Sequence, residues 1–140
     1  MAVETPRLSV NTKGDTEVVD LTGEVARCLA GGTIRNGLVT VFVVGSTAAL
    51  STTEYEPGLV NHDLRNAYEG IAPERGEYEH EKTWHDDNGH SHVRATLTGP
   101  SIAVPCVDGK MTLGTWQQIV LMDFDTRPRR REIVVQVLGE

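Results

Sequence analysis

Four of the five histidines of this 140-residue chain, His80, His85, His90 and His92, fall within YEHEKTWHDDNGHSH from Tyr78 to His92. Imidazole is the commonest metal ligand and titrates near neutrality, so this density points to metal chemistry or to proton transfer. Asp86, Asp87 and Asn88 add polar atoms, and no apolar periodicity runs through the stretch before about Ser91. It reads as a functional loop feeding a strand, with a solvated polar loop as the plain alternative. His90 and His92 are two residues apart, so on a strand that begins early enough both rings leave one face. A third nitrogen from the loop, from His80 or His85, completes a site with an open position for water or substrate, and His80, His90 and His92 are the expected metal set. Zinc or a similar divalent ion suits these ligands, as nickel and copper also do.

Other residues offer partner chemistry. Glu54 ends a hydroxyl-rich run, Leu50 to Glu54, and either it or Asp87 can orient a histidine or act as general base on a bound water. Before that run, Gly45-Ser46-Thr47 replaces heavy side chains with small ones, so a ligand can approach the backbone beside Ser46 and Thr47. In Gly114-Thr115-Trp116-Gln117 the indole can wall a pocket while Gln117 hydrogen-bonds. Arg127, Arg129, Arg130 and Arg131 make a basic patch in an acidic chain, and the guanidinium forks of Arg129 and Arg131 suit a phosphate or carboxylate. Each group has a bland reading beside this one: solvated carboxylate, core tryptophan, or solvated turn.

The elements that must position these groups follow from periodicity. Pro6 to Asn11 alternates as a strand, and Lys13-Gly14-Asp15 turns it into a second piece around Thr16 to Val19. Asp20 caps a helix carrying Leu21, Val25, Cys28 and Leu29 at helical spacing, stopped by Gly31-Gly32. Leu38 to Val44 is dense in β-branched residues and reads as a central strand buried on one or both faces. Pro57 opens a second helix to about Tyr68, with Leu59, Val60 and Leu64 inward. From Ser91 onward the pattern is β: alternation to Thr98, then Ser101 to Cys106, Met111 to Leu113, Gln117 to Phe124 and Arg131 to Leu138. Strands without intervening helices pair antiparallel, which gives an α+β class, a mostly antiparallel β core with two helices in one domain over residues 1–140.

A chain of this length buries a real core in one domain. Its apolar content of 39%, charged content of 24% and formal charge of −7 fit a soluble globular protein and argue against a nucleic-acid or anionic-membrane binder. Leu38 to Val44 is far too short to span a bilayer, and no basic segment leads into an apolar one at the N-terminus, so a cytoplasmic location is expected. Cys28 and Cys106 supply neither a disulfide framework nor a four-cysteine zinc site and read as small buried hydrophobes.

Taken together, Tyr78-Glu79-His80, Asn88 with Ser91-His92, Gly99-Pro100-Ser101 to Val104-Pro105, Asp108-Gly109 with Leu113-Gly114-Thr115-Trp116-Gln117, and Asp123-Phe124-Asp125 to Pro128-Arg129 with Arg131 resemble the YjbQ-like family. The resemblance covers nearly the whole chain. It implies a β-sandwich core, a homotrimer with sites near subunit boundaries, and a weak, secondary thiamine-phosphate synthase activity. The family's site histidines match His80 and His92, and its carboxylate matches Glu54. Many members have His-Thr where this chain has Gly45-Ser46, with His90 as a local substitute. The expected function is a small enzyme acting on a phosphorylated metabolite, with Glu54, His80 and His92 catalytic. Ser46, Thr47, Asn88, Trp116, Gln117, Arg129 and Arg131 would bind the ligand. The alternative is a non-catalytic homotrimer that binds a small anion or metabolite.

Overall fold

The computed structural model describes residues 1–140. Strands β1 (Ala2–Glu4), β2 (Arg7–Thr12) and β3 (Glu17–Asp20) precede α1 (Thr22–Gly31), β4 (Gly37–Val44) and β5 (Ala48–Thr53). A π-helical turn, Leu59–Asp63, runs into α2 (Leu64–Ile71), followed by α3 (Glu79–Trp84) and α4 (Gly89–Thr98). The chain ends with β6 (Ser101–Val107), β7 (Lys110–Met111), β8 (Gln118–Asp123) and β9 (Arg129–Gly139).

Two sheets form. The larger has the order β1-β9-β4-β6-β7 with β2 also on β9, and the smaller has the order β3-β8-β5. Every pairing is antiparallel. The sheets pack face to face because alternation aims one side of each inward. Val39, Val41 and Val43 of β4 and Ile133, Val135 and Val137 of β9 meet Ala48 and Leu50 of β5 and Ile119 and Leu121 of β8. The central strand predicted from Leu38 to Val44 is thus buried on one face only, while Leu38, Phe42 and Val44 on the other stay exposed. Helix α1 adds Leu21, Val25 and Leu29 to that core. Leu21 takes the N-cap position, one residue past the Asp20 expected there, and Asp20 accepts the Thr22 amide at 2.9 Å from just outside the helix.

The smaller sheet is covered on both faces. Its other side presents Ala49, Val120 and Met122 to a second cluster with Val60, Ala95 and Phe124, against which Leu64 and Tyr68 pack. Hence the order of layers is large sheet, small sheet, and then the π-helical turn with α2 and α4, while α1 packs on the core between the sheets. Four helices are present rather than two, and the added pair, α3 and α4, carries His80, His90 and His92.

The main correction concerns α4. The segment from Ser91 to Thr98 alternates polar and apolar residues as a strand would, yet Gly89–Thr98 is helical. Tertiary hydrogen bonds override the pattern by burying its polar side. The Arg94 side chain, 4% exposed, donates to the Ala72 carbonyl at 2.9 Å, Thr16 Oγ1 at 3.0 Å and Glu69 Oε2 at 2.7 Å, and Ser91 Oγ donates to the Phe124 carbonyl.

Candidate functional site

A helix rotates by about 100° per residue, so His90 and His92 point about 200° apart instead of sharing a face. His92 lies beside His80, with ring centroids 4.6 Å apart and planes at 61°, whereas His90 is buried against Tyr78 at 6.3 Å. The connection between α3 and α4 makes the first pairing. His85 closes α3 in the left-handed region, at φ 54°, and the chain reverses through Asp86–Asn88 into α4. His85 itself is solvent-facing.

The two paired rings are held by different groups. His92 Nδ1–H donates to the Ser46 carbonyl at 3.1 Å, so the neutral ring presents Nε2 as its free lone pair. His80 Nε2 meets the Asn88 side chain at 3.1 Å. An amide oxygen there would face only acceptors. With the nitrogen turned inward, Asn88 donates to His80 Nε2 at 3.1 Å and to Asp86 Oδ1 at 3.0 Å. Asn88, expected among the ligand-binding residues, is instead engaged within the chain, bridging His80 and Asp86.

The same turn that receives His92 also meets the arginines. Arg131 is buried and grips Asp123 with both fork nitrogens, Nε at 2.7 Å and Nη2 at 2.8 Å, while Nη2 also donates to Thr47 Oγ1 at 2.7 Å. The Thr47 hydroxyl passes its proton on to Asp125 Oδ2 at 2.9 Å, which also accepts from Arg129 Nε at 2.8 Å. Burial pushes the Asp125 carboxyl up, but hydrogen bonds from Arg129, Thr47 and the Thr126 amide outweigh it and hold it below the usual aspartate range. Gly45 lies at φ +146°, and a Cβ there would sit 2.8 Å from Arg131 Nη1. The missing side chain leaves that edge of the guanidinium uncovered. A cavity of about 290 Å³ opens at the same turn, between Gly45, Ser46, Ala48, Ala95, Thr96 and Pro100.

One pole of the molecule thus gathers His80, His92, Asn88, Ser46, Thr47, Arg129 and Arg131. Glu54, Trp116 and Gln117 are elsewhere. They lie beyond the far end of β5, whose six residues at about 3.3 Å of rise each hold the two ends of the strand about 17 Å apart. Gln117 Nε2 donates to Thr52 Oγ1 at 3.0 Å, and its Oε1 accepts the Gly114 amide at 3.1 Å, so it braces its own turn. Trp116 is 71% exposed and walls no pocket within one chain.

The three-histidine set does not assemble in one chain, since His90 faces away from the other two. No group of three or more His, Cys, Asp or Glu side chains is placed to hold a metal ion. In the sequence Asp86 stands out only as a polar group of the loop, and Asp123 and Asp125 only as part of the family resemblance; the structure pairs Asp86 with Asn88, Asp123 with Arg131 and Asp125 with Arg129. The available signal for Asp123 and Asp125 was an Asp-Phe-Asp pair ending an apolar strand, with Arg129 and Arg131 a few residues on.

Comparison with known proteins follows this geometry. Residues 6–140 match the family described as UPF0047 protein YjbQ-like. A UPF0047 protein of Methanothermobacter thermautotrophicus is 39% identical over 140 residues, covering 100% of this chain and 95% of the relative. One from Archaeoglobus fulgidus is 38% identical over 131 residues, covering 94% and 98%. Among solved structures, a hypothetical protein of Aeropyrum pernix superposes with a TM-score of 0.90 at 34% identity, covering 98% of this chain and 99% of its own.

Proposed function

The chain belongs to the YjbQ-like UPF0047 family, and from that membership we propose that it is a small enzyme acting on a phosphorylated metabolite at the His80–His92 pole. The observation that carries this reading is the Gly45–Thr47 turn, which touches a histidine pair on one side and a buried arginine on the other. Arginine supplies a forked positive charge to a phosphate, and an imidazole with a free lone pair supplies proton transfer beside it.

The reaction implied by the family resemblance is the joining of a pyrimidine diphosphate to a thiazole phosphate. The thiazole nitrogen forms a bond to the pyrimidine's methylene carbon as the carbon–oxygen bond to diphosphate breaks. Charge then develops on the leaving diphosphate, where Arg129 and the free edge of Arg131 would act. A divalent ion fits one chain poorly, because only His80 and His92 converge, and no step is routed through one.

The distance of Glu54 and Trp116 from this pole supports a homotrimer with shared sites. A threefold ring joins two different surfaces of each protomer, so the Glu54–Trp116–Gln117 pole of one copy would meet the histidine pole of the next. Subunit mixing tests both parts. His92→Ala and Glu54→Ala are each expected to abolish product formation from the two phosphorylated substrates. Refolded together, they should restore about a quarter of the sites, since each intact site draws one wild-type residue from each neighbour. Failure to regain any activity removes the shared site. Absence of turnover in the wild type, with a phosphate-bearing ligand still raising Tm, favours the non-catalytic binding protein.

A further inference from the structure

The backbone hydrogen bonds of the Gly45–Thr47 turn do not close. Strand β4 ends at Val44 and β5 begins at Ala48, so the amides of Gly45, Ser46 and Thr47 fall outside both ladders. None of the three donates to a backbone or side-chain acceptor anywhere in the chain. Backbone N–H groups are obligatory donors, and a run of them without partners is the material of an anion site. The carbonyls of the turn are in use: Ser46 accepts from His92 Nδ1 at 3.1 Å and Thr47 from the Phe124 amide at 2.9 Å. A trans peptide sets N–H opposite C=O, so the Thr47 amide points away from His92.

Arg131 spans the same turn. Its Nη2 is bonded to Thr47 Oγ1 at 2.7 Å, and its Nη1 lies 2.8 Å from the place a Gly45 Cβ would take. The side chain is only 7% exposed, yet Nη1 has no hydrogen-bond partner. It does reach the surface, because the sole buried side-chain nitrogen or oxygen lacking a partner is His90 Nδ1. Apart from the glycine's own chain neighbours, the Arg131 guanidinium is all that lies within 4 Å of the missing Cβ. Gly45 therefore leaves open the place from which Nη1 is touched. Gly45 and Ser46 also wall the cavity of about 290 Å³, some ten times a water's share of liquid volume.

Charge at this turn is already balanced, since Asp123 matches Arg131 and Asp125 matches Arg129. What is left over is donors. A cation finds nothing to bind it there, and a planar carboxylate engages two donors where a phosphoryl group, with three terminal oxygens, engages more. Bonds from amides and guanidinium to an ionised oxygen are also the strong kind.

We propose that the Gly45–Thr47 turn is a phosphoryl subsite, in which the three amides and Arg131 Nη1 hold the terminal oxygens of a phosphate ester and Gly45 determines whether they fit. This rests on the reading of the His80–His92 pole as a phosphate-handling site, and it assigns the binding there to main-chain groups.

The test is ¹H–¹⁵N NMR of the whole protein titrated with inorganic phosphate, with acetate as the planar comparison. The amide protons of Gly45, Ser46 and Thr47 should move downfield together along one saturable curve, and acetate should bind about tenfold more weakly. Gly45→Ala sets a methyl 2.8 Å from Nη1 and should weaken phosphate about tenfold. A φ of +146° also strains alanine, so that variant is read beside its melting curve, and the wild-type shifts decide the matter if it does not fold. Amides that stay in place while the His92 ring responds overturn the subsite and leave the reading of the pole standing; no response at either removes both. Equal affinity for acetate overturns the phosphoryl assignment, and undiminished phosphate binding by folded Gly45→Ala overturns the role of Gly45.

Discussion

Asp123 is fully buried, and its carboxylate accepts from Arg131, from Thr12 Oγ1 at 2.5 Å and from the Asp125 amide at 3.0 Å. Removing one partner of such a pair leaves an uncompensated charge in the interior. Asp123→Asn should therefore cost about 3–5 kcal/mol in urea denaturation, and a loss below 1 kcal/mol would show that Arg131 has another route to water. Asp125 acts on pH dependence instead. A carboxyl whose folded pKa lies below its unfolded value stabilises the fold above about pH 3.9, and that contribution drains away as pH falls toward the lower folded value. Urea midpoints measured from pH 5 to pH 2 should fall less steeply in Asp125→Asn than in the wild type; parallel slopes would contradict the assignment. At this scale the sequence was readable where a residue type is chemically conspicuous. His80, His92, Asn88 and Arg131 were identified from type and spacing or from the family resemblance. Asp123 and Asp125 entered only through the family resemblance, and what they hold was not readable, because a carboxylate's partners across 78 and 111 residues leave no local mark.

The β elements were legible because their burial follows period two. Leu38 to Val44 shows this most clearly, with every second residue, Val39, Val41 and Val43, in the core. Helix α4 failed the same test for a physical reason: its inner side includes Ser91 and Arg94, satisfied by hydrogen bonds rather than by apolar contact. Its punctuation was present nonetheless. Gly99 and Pro100 end it, and Gly99 sits at φ +103° with its amide on the Ala95 carbonyl at 2.9 Å. That φ strains any other residue although nothing crowds its Cβ position. Gly99→Ala should lower stability by about 1 kcal/mol, read as a fall in Tm. The two-residue offset between His90 and His92 thereby changes meaning: on a strand it would put both rings on one face, and on this helix it sends His92 to His80 and His90 to Tyr78.

No helix of the molecule is long and apolar enough to cross a membrane. Its surface still carries an apolar face. Leu38, Phe42 and Val44 of β4 and Leu138 of β9 are 38–45% exposed on the outer side of the large sheet. A contiguous face of this kind is expected to find cover, and three of them turned toward one axis would supply it while neighbouring poles meet. Phe42→Asp should convert the expected trimer to monomer in sedimentation velocity. An unchanged mass would remove this face from the contact. Sequence reasoning anticipated the layered α+β plan, but which side of β4 faces outward depends on register and on the second sheet, and neither is a local property.

Strand β9 pairs with β1, β2 and β4 at once, at sequence separations that exceed 100 residues for the first two. The large sheet therefore has no complete hydrogen-bonded centre until β9 has been made. During synthesis β4 waits with one edge open, and the N-terminal strands have no partner at all. Such non-local pairing places refolding toward the slow end for small domains, in the range of about milliseconds to seconds. An open apolar edge during that wait is a point of self-association. Stopped-flow refolding at rising protein concentration would read that hazard directly, as a yield that falls while the rate of the productive phase stays constant.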